Sequence, residues 1–101
     1  MSAINVNKNN FHEEVILSEK PVLLDFWAPW CAPCRMVSPI IDEVAKERPD
    51  VVVGKINVDE EYELAQQFRT YSIPTLVVLE KGKIIHQISG ARPKHQILAM
   101  L

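Results

Sequence analysis

Apolar and polar positions along the chain follow two periods, one typical of strands and one typical of helices. Near-continuous apolar runs at residues 22–27 and 51–58 have the pattern of strands that are covered on both faces of a sheet. Between them, apolar residues recur every three or four positions over residues 34–47, with charged residues on the opposite face, which predicts a long amphipathic helix. This strand-helix-strand unit is expected to have parallel strands and a right-handed crossover.

Shorter elements are predicted on either side of this unit. They are a strand at 3–6, helices at 11–16, 59–69 and 93–101, and strands at 75–80 and 83–89. Lys81-Gly82 joins the last two strands, and this tight-turn signal makes them an antiparallel hairpin. The chain is therefore predicted to fold as an α/β protein, with helices on both faces of one mixed sheet.

Length, charge and hydropathy narrow the possible functions. The 101 residues suit one domain spanning 1–101, with a single core. The formal net charge of −2, from 11 basic and 13 acidic side chains, lacks the basic surplus of a nucleic-acid binder. Asp25 and Pro29 interrupt the longest apolar run, so no membrane span is expected. The first residues lack the pattern of a secretory signal, so a cytoplasmic location is expected.

The candidate chemistry lies in the segment WCAPCR, which contains both cysteines of the chain. Cys31 follows a predicted buried strand where the next helix begins, and functional groups of α/β sheets gather at such carboxyl ends. Free N–H groups at a helix N-terminus favour a thiolate, so Cys31 is expected to be an exposed nucleophile of lowered pKa. Helix geometry places Cα atoms three positions apart at roughly 5 Å, so Cys34 can bridge to Cys31 and resolve a mixed disulfide. Pro33 suits the first turn, where its missing N–H costs nothing.

Other uses of a C-x-x-C pair remain open at this point. A structural zinc site needs four ligands, but the chain has no third cysteine, and His12, His86 and His95 are scattered singly. A copper carrier could use two thiolates on such a strand-to-helix loop, although a proline between them suits that role poorly. In a reducing compartment a catalytic or redox pair is favoured over a structural disulfide, because the loop is too short to restrain the unfolded chain.

Several segments together resemble the thioredoxin family. DFWAPWCAPC resembles its active-site segment, SIPTL at 72–76 its proline loop, and VGKINVD and KGKII…SGA its third strand and its final hairpin. Their order and spacing extend over nearly the whole chain. The resemblance implies the thioredoxin fold, a central mixed five-stranded sheet flanked by four helices. In that fold the strands lie in the order first, third, second, fourth and fifth, with the last two antiparallel.

The resemblance also implies a surface that docks client proteins. Ile73-Pro74 is expected to be a cis peptide that faces Cys31, and the backbone beside it to pair with an extended substrate segment. Trp27 is expected to pack beneath the active site. The expected docking surface consists of Trp30, Ala32, Pro33, Ile73, Pro74, Ser89 and Gly90.

Asp25 interrupts a strand of apolar residues, and the pattern and the resemblance together predict that it is buried. Burial disfavours the charged carboxylate and raises its pKa, which suits a proton acceptor working near neutral pH. We expect Asp25 to accept the proton of Cys34, through water, during the resolving step. Lys55 lies on the adjoining strand of the family fold and is expected to offset part of the buried charge.

These observations predict a monomeric protein-disulfide reductase that serves electron transport and cell redox homeostasis. Its Cys31-Cys34 dithiol would reduce disulfides in client proteins, with no bound cofactor. The resemblance implies regeneration by an NADPH-dependent thioredoxin reductase. The alternatives left open are a thiol-disulfide oxidase or isomerase of the same fold, a two-thiolate metal carrier, and a redox-inert binding module.

Overall fold

A five-stranded sheet forms the centre of the computed structural model, which describes residues 2–101. Its strands are β1 (Ile4–Asn5), β2 (Val22–Trp27), β3 (Val52–Asn57), β4 (Thr75–Glu80) and β5 (Lys83–Ser89). The α-helices are α1 (Ala32–Glu47), α2 (Tyr62–Gln67) and α3 (Lys94–Ala99), and a short π-helical segment spans His12–Ile16. Within residues 2–101, no helix is both long and apolar enough to cross a bilayer.

The strands lie in the order β1-β3-β2-β4-β5, which confirms the topology that the resemblance implied. β3 is parallel to both β1 and β2, whereas β4 is antiparallel to β2 and to β5. β2 therefore has a hydrogen-bonded neighbour on each side, and its residues 22–26 are buried. Because helices cover both faces of this central strand, its sequence is almost continuously apolar. The end of β2 leads directly to the segment with the two cysteines.

Helices cover the sheet on both faces and form two apolar cores. On one face, Leu24 and Phe26 of β2 pack with Val15 of the π-helical segment and with α2. The core on the opposite face contains Leu23, Val37, Ile41, Val44, Leu76, Val78 and Ile97, from the sheet, α1 and α3. Since successive strand residues point to opposite faces, Asp25 shares the α1 face with Leu23.

The first predicted helix takes the π form over His12–Ile16. The N–H of Leu17 donates to the carbonyl of His12 at 2.9 Å, a bond that spans one residue more than an α-helical bond. Val15 is fully buried, so the wider turn still presents an apolar side chain to the core. Apolar spacing over so short a segment does not distinguish the two helix types.

The turn between β4 and β5 has the geometry that its sequence predicts. Lys81 and Gly82 have positive φ values of 50° and 78°, as the two central residues of a type I′ hairpin turn require. The hairpin register pairs Ser89, at the end of β5, with Thr75, at the start of β4. The end of β5 therefore lies beside the loop that contains Pro74.

Replacing Gly54 with alanine is expected to destabilise the sheet. A Cβ atom there would lie 2.7 Å from Val6 Cγ2 and 3.0 Å from Leu24 Cδ2, closer than packed carbon atoms approach. The free energy of unfolding should fall by about 1–3 kcal/mol, the usual cost of overpacking a core. Urea denaturation measures this loss, which should be smaller in a Val6→Ala background, where the nearest atom is missing. An equal loss in both backgrounds would contradict the explanation.

Candidate active site

The two cysteines form a disulfide at the start of α1. Cys31 and Cys34 are joined through their sulfur atoms, and their Cα atoms are 5.3 Å apart. Cys31 is the N-cap residue, with φ −90° and ψ 109°, while Pro33 and Cys34 belong to the first helical turn. The Cys31 sulfur accepts the N–H of Cys34 at 3.2 Å. A thiolate at this sulfur would be stabilised by that N–H and by the partial positive charge of the helix N-terminus.

The expectation that Cys31 is exposed is wrong for the disulfide form. Cys31 is 4% exposed and Cys34 is 2% exposed, so burial hardly distinguishes them. Both belong to a small apolar cluster with Ala28, and Val58 and Ile73 pack against it. The Cys31 sulfur lies 3.8 Å from the carbonyl oxygen of Ile73, which is 42 residues away along the chain. Local sequence around Cys31 therefore carries no sign of the loop that covers it.

The loop before β4 forms one wall of the site. The Ile73-Pro74 peptide bond is cis, as the resemblance implied. The N–H of Gly90 donates to the Pro74 carbonyl at 2.8 Å, and Ser89 pairs with Thr75. The structure therefore brings together the predicted docking residues of this loop and of the end of β5, and Ile73 connects them to the dithiol.

Trp30, Ala32 and Pro33 are exposed around the dithiol. The Trp30 indole is held by a hydrogen bond from its Nε1 to Asp59 Oδ2, at 3.0 Å. Sequence reasoning missed Asp59, which comes shortly after β3 in the chain. A carboxylate near the carboxyl end of a strand beside β2 is the signal that could have found it.

A groove of about 320 Å³ extends the site beyond the predicted docking surface. Trp30 and Ile73 line it together with Val58, Thr70, Tyr71 and Ser72. Tyr71 is 90% exposed, so the groove presents an aromatic side chain to solvent. Sequence reasoning missed this residue, although an aromatic residue two positions before Ile73 is a visible signal.

Asp25 is 1% exposed and lies on the α1 face of β2. It is in register with Lys55 of β3 and with Leu76 of β4. Neither carboxyl oxygen has a hydrogen-bond partner among residues 2–101. Burial raises the pKa of the Asp25 carboxyl to about 7, the positive charge of Lys55 opposes this rise, and the negative charge of Asp42 adds to it. Such a carboxyl can change its protonation state near neutral pH.

The ammonium group of Lys55 contacts α1 and not Asp25. It donates to Ser38 Oγ at 2.8 Å and forms an ion pair with Asp42 Oδ1 at 2.9 Å. Lys55 therefore acts on Asp25 through its charge, from the neighbouring strand. Sequence reasoning missed Ser38 and Asp42. Their spacing of four residues, which places both on one side of a helix, is the signal that could have paired them.

Trp27 packs against the cluster that holds the dithiol, as expected. Its indole Nε1 is buried and has no hydrogen-bond partner in the described part of the chain. Trp27 and Lys55 also line a cleft of about 390 Å³, together with Asn57 and other polar side chains. Solvent therefore approaches Lys55 from this side of the sheet.

Comparison with known proteins agrees with this arrangement. A family model described as Thioredoxin matches residues 2–101. Thioredoxin of Pyropia yezoensis is 44% identical over 102 residues, which cover 100% of this chain and 95% of that protein. Thioredoxin 1 of a Nostoc species is 45% identical over 94 residues, or 92% of this chain and 88% of that protein. Thioredoxin of Alicyclobacillus acidocaldarius is 47% identical over 90 residues, or 88% and 86% of the two chains. The chain therefore belongs to the thioredoxin family and is a thiol-disulfide oxidoreductase with the role of a protein-disulfide reductase.

Proposed function

We propose that Cys31 is the nucleophile of this reductase and Cys34 its resolving thiol. The Cys31 thiolate attacks one sulfur of a client disulfide, forms a mixed disulfide and releases the other client sulfur as a thiolate. The Cys34 thiolate then attacks the Cys31 sulfur, closes the bond between the two cysteines and releases the second client thiolate. Two electrons thus pass from the dithiol to the client. The redox group is the chain's own disulfide, and the reaction needs no external cofactor.

The observation that carries this assignment is the position of Cys31 at the N-cap of α1. Its sulfur accepts the N–H of Cys34 and faces the positive end of the helix. Both interactions favour the thiolate at Cys31, so Cys31 is the better nucleophile at neutral pH. Cys34 lies inside the first turn, within bonding distance of Cys31, and takes over the bond in the second step.

Asp25 performs the proton transfer of the resolving step in this proposal. Cys34 must lose its proton before it attacks, and a carboxyl with a pKa of about 7 is both a competent base and partly ionised at neutral pH. The Asp25 carboxylate takes the proton through water and later returns it to solvent. The positive charge of Lys55 opposes the effect of desolvation on Asp25, so part of the buried carboxyl is ionised near pH 7.

Client proteins dock on the surface around the dithiol. An extended client segment pairs with the backbone beside Pro74, and this main-chain recognition accepts varied sequences. The hydrogen bond between Gly90 and Pro74 and the exposure of Trp30 support one continuous surface. The proposed contacts are Trp30, Ala32, Pro33, Ile73, Ser89 and Gly90, together with the backbone at Pro74, which is itself buried.

The wider role follows from the same chemistry. The chain acts as a single domain over residues 1–101, as a monomer, in the cytoplasm, where the surroundings keep dithiols reduced. Client proteins oxidise it, and an NADPH-dependent thioredoxin reductase returns it to the dithiol form. It thereby serves electron transport and cell redox homeostasis. Membership of the family supports these partners.

Alkylation of the reduced protein tests which sulfur is the nucleophile. Limiting iodoacetamide at pH 7 should modify Cys31 at least about tenfold faster than Cys34, because the thiolate is the reactive form. Peptide mass spectrometry of quenched samples measures both rates. In urea-denatured protein, the control, the two cysteines should react alike. Equal rates in the folded protein, or a faster reaction at Cys34, would overturn the assignment.

A further inference from the structure

Two residues of α1 hold the ammonium group of Lys55. Ser38 Oγ accepts a hydrogen bond from it at 2.8 Å, and Asp42 Oδ1 pairs with it at 2.9 Å. These residues are four positions apart, so they lie on the same side of the helix. The Lys55 side chain is only 17% exposed, whereas that of Asp42 is 54% exposed. The helix therefore fixes a largely buried cation with one hydroxyl and one carboxylate.

Asp25, the register neighbour of Lys55, is left without a partner. Adjacent strands lie about 4.8 Å apart, so the flexible lysine side chain is long enough to reach the carboxyl of its neighbour. Both Asp25 oxygens are nevertheless free of hydrogen bonds among residues 2–101. The contacts with Ser38 and Asp42 compete with an ion pair to Asp25, and in this structure they prevail.

The charges that face Asp25 come from few elements. β3 contributes the Lys55 cation and α1 contributes the Asp42 anion. β4 presents Leu76 in register with Asp25, so it adds no charge there. In the reduced protein, α1 also carries the titratable thiols of Cys34, in its first turn, and of Cys31, at its N-cap. Asp42 and Lys55 thus have opposite effects on the charge of this carboxyl.

We propose that Ser38 and Asp42 are positioning residues, which hold the Lys55 ammonium on the α1 side and thereby set the pH at which Asp25 gains or loses its proton. When Lys55 is held there, Asp25 feels the cation from a distance and keeps its proton up to near neutral pH. When the contacts with Ser38 and Asp42 are removed, the Lys55 ammonium turns to Asp25 and stabilises its carboxylate. The relevance of this inference to the reaction rests on the proton transfer that we propose for Asp25.

The two substitutions that test the inference act in the same direction. Asp42→Asn removes the carboxylate that pairs with Lys55 and also a negative charge that opposes the ionisation of Asp25. Ser38→Ala removes one acceptor and leaves the Asp42 pair in place. We therefore expect a downward shift of the Asp25 protonation midpoint by about one pH unit for Asp42→Asn, and by a smaller amount for Ser38→Ala.

Carbon-13 NMR of the Asp25 carboxyl, followed from pH 4 to pH 10, measures this midpoint in the oxidised protein without a client. Ser38→Thr keeps a hydroxyl and should titrate like the wild type. Glu43→Gln removes a negative charge from the next position of α1, but its carboxylate pairs with Lys94, so the midpoint should stay in place. Thermal unfolding of all variants identifies any general loss of structure, which would not by itself move one carboxyl midpoint.

The outcomes separate the inference from the proposed function of Asp25. Unchanged midpoints in Asp42→Asn and Ser38→Ala would overturn the inference, as would an equal shift in Glu43→Gln. The release of a mixed disulfide is measured in parallel as a function of pH, and its acid limb should follow the carboxyl midpoint. A shifted midpoint with an unshifted release profile would support the inference about Ser38 and Asp42 and overturn the proton transfer assigned to Asp25.

Discussion

Cys34→Ser is expected to hold client proteins on Cys31 as stable mixed disulfides, and Cys31→Ser is expected to abolish the reaction. The first substitution leaves the attack intact and removes the thiol that resolves the intermediate. The second removes the nucleophile at the N-cap of α1. Each should lower the catalysed part of insulin reduction, which is the rate above that of dithiothreitol alone, by about a thousandfold or more, as expected when one member of a catalytic unit is lost.

The covalent adduct distinguishes the roles of the two cysteines more sharply than the loss of rate. Non-reducing electrophoresis and mass spectrometry should find client attached to Cys31 in the Cys34→Ser protein. The double variant, with serine at both positions, is the control and should retain no client. Adducts in the Cys31→Ser protein that match those of Cys34→Ser in yield would show that the roles are reversed or shared.

Asp25→Asn is expected to make the protein more stable at pH 8 and to leave its stability at pH 4 almost unchanged. The folded wild type keeps the Asp25 proton up to about pH 7, whereas the unfolded chain releases it near the ordinary pKa of 3.8. Between these values the folded state binds more protons, so the stability of the wild type falls as the pH rises. Asparagine is neutral at every pH, so the variant lacks this loss. The difference at pH 8 should be of the order of 4 kcal/mol.

Urea denaturation of the oxidised proteins at pH 4, 6 and 8 measures this difference. Asp50→Asn serves as a control of opposite sign, because the hydrogen bond and the charge of Arg48 lower the pKa of exposed Asp50. That interaction stabilises the folded state above the ordinary pKa of Asp50 and is lost in acid. Asp50→Asn should therefore lower the stability of the folded protein, and only at the higher pH values. Parallel stability curves for Asp25→Asn and the wild type would show that Asp25 does not carry a raised pKa.

The parts of the fold that rest on periodicity could be predicted from the sequence. The apolar run around Asp25 indicates a central strand because strands that are covered on both faces are typically almost continuously apolar. The pattern and the family resemblance together predict the burial of Asp25, which is 1% exposed. The Lys81-Gly82 turn could be predicted because a glycine between two strand patterns readily adopts the positive φ that a tight hairpin turn needs.

The contacts between distant side chains could not be predicted. Lys55 meets Ser38 across 17 residues, and Trp30 meets Asp59 across 29. Each contact depends on how a helix or loop packs against the sheet. Hydrophobic periodicity predicts which face of an element is buried, but not the rotamer or the burial of a polar side chain. Ser38 and Asp59, which sequence reasoning missed, belong to these contacts.

The burial of the oxidised Cys31 sulfur has a kinetic consequence. Thiol-disulfide exchange needs an attacking sulfur in line with the bond that breaks, and the Ile73 carbonyl and the surrounding apolar side chains leave little room for a diffusing small thiol. A protein that docks beside Pro74 can instead position its sulfur in line with the Cys31-Cys34 bond. The oxidised form is therefore expected to react more slowly with small thiols such as glutathione than with a protein that docks beside Pro74.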